Sequence, residues 1–113
     1  MRIIQSPVTL AELRQIAAHG FGNMVKAVVD VEKKIMAIDA ELHADEEAYL
    51  LEQGSLQADL WGINLYPDEQ EENFIEFDSM INLRPSQDNR SRSVQDPALQ
   101  KKIVAIVTQL VTK

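Results

Sequence analysis

The chain contains no cysteine. That excludes a disulfide framework, a thiolate nucleophile and a zinc–thiolate site, and it fits a reducing compartment. No apolar run approaches the roughly 20 residues of a membrane-crossing helix. The opening MRIIQSPVTLAEL lacks the long apolar core of a signal peptide. The cytoplasm is the expected location, with no membrane partner. Positive charge is scarce as well: 11 Lys and Arg stand against 18 Asp and Glu, for a formal net charge of −7. A general nucleic-acid binder carries the opposite sign, because phosphate neutralisation supplies most non-specific affinity. The balance repels anionic polymers and membranes while leaving room for a local basic site. Also missing are GxGxxG, a P-loop, GxSxG and the aromatic-and-basic strand of RNA-binding sheets.

What is present is ordinary in bulk. The 113 residues, 45% hydrophobic and 26% charged, fit one globular domain over 1–113. A chain of that length buries about 65% of its extended surface, enough for one core without staples.

Local signals give the element order. MRIIQ reads as a short strand. Thr9 with Glu12 forms a capping box, the apolar positions Leu10, Leu13, Ile16 and Ala17 recur at helical spacing, and Gly20 is a natural stop, which predicts a helix over 10–19. MVKAVVDV and KIMAID, separated by Glu32 and Lys33, predict a β-hairpin without the Asn-Gly turn signal. ADEEAYLLEQG predicts a second helix with an acidic first turn, stopped by Gly54. LWGINLYP and NFIEFDSMINLRP, joined by DEQEE, predict two more strands by their period-2 alternation. In the first, Trp61, Ile63 and Leu65 share a face. In the second, Ile75, Phe77, Ile81 and Leu83 share one, opposite Glu76, Asp78, Met80, Asn82 and Arg84. Asp96 and Pro97 open a C-terminal helix striped by Leu99, Ile103, Ile106 and Leu110. The expected fold class is α+β: a two-layer sandwich of order β-α-β-β-α-β-β-α, with a mostly antiparallel or mixed sheet and the helices on one face.

Three groups of residues carry chemistry worth testing. The loop after the last strand holds Arg84, Arg90 and Arg92, three of five arginines, interleaved with Ser86, Gln87, Asn89, Ser91 and Ser93. Arginine forks match phosphate and carboxylate geometry, and hydroxyls and amides add donors; the alternative is a hydrated turn. In ELHADEE, His43 stands among Glu41, Asp45, Glu46 and Glu47, a set suited to acid–base work or a divalent cation, although its spacing fits no metal motif and no metal site is assigned. Glu76 and Asp78 lie two apart on one side of a strand, so both carboxylates reach the same surface. His19, just before Gly20, suits a helix C-terminus.

The strings FGNMVKAVVDVEKKIMAI, ELHADEE, WGINLYP and IEFDSMINLRPSQDNRSR resemble a small uncharacterised bacterial protein family, one of the domains of unknown function, over nearly the whole chain. The resemblance implies single-domain proteins of this size, with no activity, cofactor or catalytic residue to carry over. The residues themselves suggest a small binding protein that holds a phosphate-bearing or other anionic ligand or partner through Arg84, Ser86, Gln87, Asn89, Arg90 and Arg92, without a cofactor. One alternative is a small hydrolase or phosphoryl-transfer enzyme using His43, Asp78 and Glu76, with or without a divalent metal. Another is a structural or homo-oligomer-forming module. The enzyme needs His43 and Asp78 in one concavity; the binding loop needs its arginines to converge.

Overall fold

A computed structural model describes residues 1–113. The elements run β1 (Arg2–Ile4), β2 (Val8–Thr9), α1 (Leu10–His19), β3 (Val25–Asp30), β4 (Ile35–Ile38), α2 (His43–Glu52), β5 (Leu60–Leu65), α3 (Glu71–Phe74), β6 (Ile75–Glu76), α4 (Pro97–Leu110) and β7 (Val111–Thr112). Five strands form one antiparallel sheet in the order β1-β4-β3-β5-β6, and β2 pairs with β7 in a separate parallel ribbon. The α+β class stands, and the main sheet is antiparallel throughout.

The local signals act as their chemistry requires. The Glu12 amide donates to Thr9 Oγ1 at 3.1 Å while the Thr9 amide donates to Glu12 Oε1 at 3.4 Å, closing the capping box of α1. The Ala98 amide donates to Asp96 Oδ1 at 2.9 Å, capping α4 ahead of its proline. The β3–β4 hairpin turns without Asn-Gly because buried Asp30 replaces it. Asp30 Oδ1 accepts the Glu32 and Lys33 amides at 2.9 and 2.8 Å, Oδ2 accepts the Ser55 hydroxyl at 2.7 Å, and Lys34 takes the left-handed conformation at φ 58°.

The layering departs from a sheet with all its helices on one side. On one face Val25, Ala27, Val29, Met36, Ile38, Trp61, Ile63 and Leu65 pack with Leu13 and Ala17 of α1 and with Ile103, Ile106, Val107 and Leu110 of α4. On the other face Val28, Ala37 and Leu60 meet Leu50 of α2. The reason lies in Val28, Ala37 and Leu60, apolar residues whose side chains leave the sheet opposite Ala27, Met36 and Ile63. A strand apolar on both sides has to be covered on both.

The second departure is the stretch 75–84. Only Ile75 and Glu76 ladder with β5, opposite Leu65 and Asn64. Beyond them Ser79 Oγ accepts the Ile81 amide at 3.2 Å and starts a tight turn over Met80–Asn82. Asn82 then does the work of a strand with its side chain. Its amide group accepts from the Gly62 N–H and donates to the Gly62 carbonyl, both at 2.9 Å. The approach requires glycine, since a Cβ at residue 62 would lie 2.6 Å from the Ser79 side chain. The expected shared face breaks accordingly: Ile75 and Phe77 pack on the larger core, Ile81 on the smaller one, and Leu83 is exposed. Asn82 and Arg84, expected on an open polar face, are buried.

Candidate functional site

The three loop arginines reach three different places. Arg84 is 7% exposed. Its Nε donates to the Ile81 carbonyl at 3.0 Å and its Nη1 to that of Gln57 at 2.8 Å, while Nη2 serves the Leu60 carbonyl and the Glu47 carboxylate. The guanidinium also lies 4.6 Å over the Trp61 ring. Burial lowers its pKa, and Glu47 opposes that shift. Every donor direction of Arg84 is therefore committed to tying the 57–60 segment and α2 to the turn. Arg90 stands in water, 3.7 Å from Asp88. Arg92 pairs with Asp78 at 2.7 Å.

The remaining loop residues are largely occupied with the loop itself. Asn89 is buried, donating to the carbonyls of Asn82 and Ser93 at 2.7 Å each and accepting the Gln95 amide at 2.8 Å. Gln87 donates to the Ala58 carbonyl at 3.2 Å, and Ser86 is exposed. The interleaved amides thus define the loop's path, and Arg92 alone of the three arginines carries a charge to a concave surface.

That surface is a cavity of about 240 Å³ under the first turn of α2, lined by Lys26, His43, Asn64, Asp78 and Arg92 and walled by Leu42, Met80 and Ile81. His43 and Asp78, which the enzyme alternative needs in one concavity, both line it. His43 is 8% exposed, with Nε2 2.8 Å from the Ile63 carbonyl. Burial pushes its pKa below the usual value; the Ile63 carbonyl, Asp78 and Asn64 oppose that shift, and Lys26 adds to it. Asn64, 6% exposed, donates to Glu76 Oε1 at 2.8 Å and to the Asp78 carbonyl at 3.2 Å. Glu76 Oε1 also accepts the Tyr66 hydroxyl at 3.0 Å, and burial followed by Glu76 raises the tyrosine's pKa. Glu76 thus braces Asn64 and Tyr66 at the cavity's edge.

Two residues set the charge of this place: Lys26, which no motif singles out, and Glu46, a member of the acidic set around His43. Lys26, in the middle of the sheet on β3, is half-buried with its ammonium 5.0 Å over the Phe21 ring and no carboxylate within ion-pair distance. Glu46 is 0% exposed, and neither carboxyl oxygen has a hydrogen-bond partner. Burial raises its pKa to about 9, with the nearby Ala40 backbone, short of a formed hydrogen bond, and Lys26 pulling the other way, so the carboxyl is neutral at neutral pH. The signal for Glu46 was its spacing: it shares a helical face with His43 and Leu50, three positions before it and four after. The acidic first turn reads equally well as a solvated helix start, and that hides it. No three His, Asp or Glu side chains converge as a metal cluster. His19 Nδ1 sits 2.7 Å from the Gln15 carbonyl at the end of α1.

The family model described as a protein of unknown function, DUF5674, matches residues 2–110. The chain belongs to the DUF5674 family. Searches of curated proteins and of solved structures return no match. Membership in DUF5674 transfers no role to any residue, so the chemistry rests on the cavity's own groups. Within this DUF5674 chain they comprise an unpaired ammonium, a neutral imidazole, an amide and an ion pair. Beside them is a helix start whose N-cap, Leu42, offers no side-chain acceptor. The amides of His43 and Ala44 open α2 with no side-chain partner, and a helix start of that kind favours negative charge.

Proposed function

We propose that the protein binds a small anionic ligand in the cavity under α2. The observation that carries this reading is Lys26, a half-buried lysine at the cavity's edge whose ammonium lies over Phe21 with no carboxylate within ion-pair distance. Of the acidic groups around it, Glu46 is held neutral and Asp78 is engaged by Arg92, while Asp39 and Glu41, which share a second cavity with Lys26, form no ion pair with it. The uncapped start of α2 adds partial positive charge to the same spot. In a chain of net charge −7, a half-buried cation without a counter-charge is the feature that most invites an anionic partner. Of the loop residues, Arg92 contributes, since it lines the cavity; Arg84, Ser86, Gln87, Asn89 and Arg90 shape or flank the loop instead.

Thermal unfolding with inorganic phosphate tests this. At 100 times the dissociation constant a bound ligand adds about 2.7 kcal/mol of stability. Phosphate is expected to raise Tm of the intact protein and to lose most of that effect in Lys26→Met, which keeps the aliphatic stem. No shift, or an equal shift in both proteins, refutes the reading.

A hydrolytic role has one observation in its favour, the shared cavity of His43 and Asp78. Against it, Nε2 of His43 is taken by the Ile63 carbonyl and the Asp78 carboxylate by Arg92. Turnover of a phosphate monoester that disappears in Asp78→Asn would move the assignment from binding to catalysis.

A further inference from the structure

His43 has two acceptors for neighbours. Its Nε2 lies 2.8 Å from the Ile63 carbonyl oxygen. The Asn64 side chain, which lines the same cavity, also favours the protonated ring. The orientation of Asn64 is set by its own donors: Nδ2 gives its protons to Glu76 Oε1 and the Asp78 carbonyl. Its Oδ1 is the atom left over, buried and without a partner. A neutral imidazole has one N–H and one lone pair. With its N–H donated to Ile63, the neutral ring has no second proton to offer the Asn64 oxygen. An imidazolium has two N–H groups and serves both acceptors.

The groups around the ring explain why it is neutral without a ligand. Burial is the largest influence against charge, and Lys26 on β3 adds repulsion. Asp78, after β6, favours the proton, but Arg92 from the opposite loop shares its charge. Glu46, one turn further along α2, is uncharged. An anion seated between Lys26 and the first amides of α2 reverses the balance, because it cancels the field of Lys26 and adds negative charge beside the ring.

Resting on the anion-site reading above, we infer that the cavity takes up its ligand together with one proton, which goes from solvent to His43 Nδ1. The site then holds two positive charges, Lys26 and His43, and the ligand class it matches is a dianion of the phosphate type in preference to a monocarboxylate. His43 becomes a binding group whose charge exists only in the complex, and Asn64 is the positioning residue that receives its new N–H.

Sulfate is the clean probe, because it stays a dianion throughout the neutral range. In calorimetry its affinity is expected to rise by close to tenfold per pH unit lowered between about pH 8 and 7, the slope for uptake of one proton. Methanesulfonate, a monoanion of similar shape, is expected to bind at least about tenfold more weakly, one charge fewer facing two cations. Nitrogen NMR of the imidazole reads the proton directly in the unaltered protein: one protonated ring nitrogen without sulfate, two with it. His43→Gln is expected to bind sulfate weakly and without pH dependence. Sulfate bound with a flat pH profile, a neutral His43 in the complex, or methanesulfonate binding equally well overturns the inference and leaves the anion site standing. Absence of sulfate binding at every pH overturns both.

Discussion

On one face of the sheet, side chains of β3, β4 and β5 pack against α1 and α4 in a core cluster of 18 buried apolar residues. On the opposite face the apolar cluster has four, Val28, Ala37, Leu50 and Leu60, and polar residues including His43, Glu46, Asn64, Asn82 and Arg84 are buried beside it. The two solutions obey different rules. Apolar packing is non-directional and depends on area and fit. Polar burial is directional, so each donor needs its own acceptor. Where the accounting on the second face fails, it fails in one neighbourhood: the orphaned buried atoms are both oxygens of Glu46 and Oδ1 of Asn64, close to the unpaired Lys26. The dry face is closed by packing alone, whereas the polar face is left with unmatched valences beside an unpaired cation.

Mutations can break or sharpen that contrast. The largest effect is expected from Asn82→Ala on the polar face. It strips partners from the Gly62 N–H, the Gly62 carbonyl and the Arg92 carbonyl, and should cost about 4 kcal/mol in urea unfolding at about 1–3 kcal/mol per orphaned buried group. Leu13→Ala on the dry face follows at about 3 kcal/mol, the usual range for a buried leucine, and should leave phosphate affinity unchanged. If Asn82→Ala proves milder than Leu13→Ala, directed hydrogen bonding is not what holds the polar face in place.

Glu46→Gln gives a smaller effect with a distinctive shape. The carboxyl titrates near 4.5 when unfolded and near 9 when folded. Between those values the native chain holds a proton that the unfolded chain has released. The stabilising contribution of that proton is complete below the lower value, and it drains away as pH rises to the upper one, by about 1.4 kcal/mol per pH unit. Glutamine does not titrate. Unfolding of the two proteins at pH 6 and pH 8 should therefore show the variant gaining on the native chain as pH rises. Parallel behaviour would mean that Glu46 is solvated, and the polar face less dry than its burial indicates.

The elements that sequence anticipates well are those specified by contacts within a few residues. The Thr9–Glu12 box, the Asp96–Pro97 start and the alternation of Trp61, Ile63 and Leu65 act at short range, and the structure follows them. The stretch 75–84 resisted because its alternating pattern suits a strand and a pair of turns equally well. What decides between them is Asn82 meeting Gly62, 20 positions away. Arg84 resisted for the same reason: its cluster with Arg90 and Arg92 is a fact of composition, while its partners Gln57, Leu60 and Glu47 come from other parts of the chain. Lys26 and Glu46 look like ordinary surface charges, one on a strand and one in a first helical turn, until α2 lies across the sheet.

By itself, then, the sequence determined the α+β class, the caps, the hairpin and the candidates His43 and Asp78, because propensity, capping and hydrophobic period are properties of short segments. Only the tertiary structure decided that β3 and β4 are covered on both faces, that Arg84 is an anchor, and that Lys26 is left without a counter-charge. Burial and pairing belong to residues far apart in the chain, so no short segment can specify them.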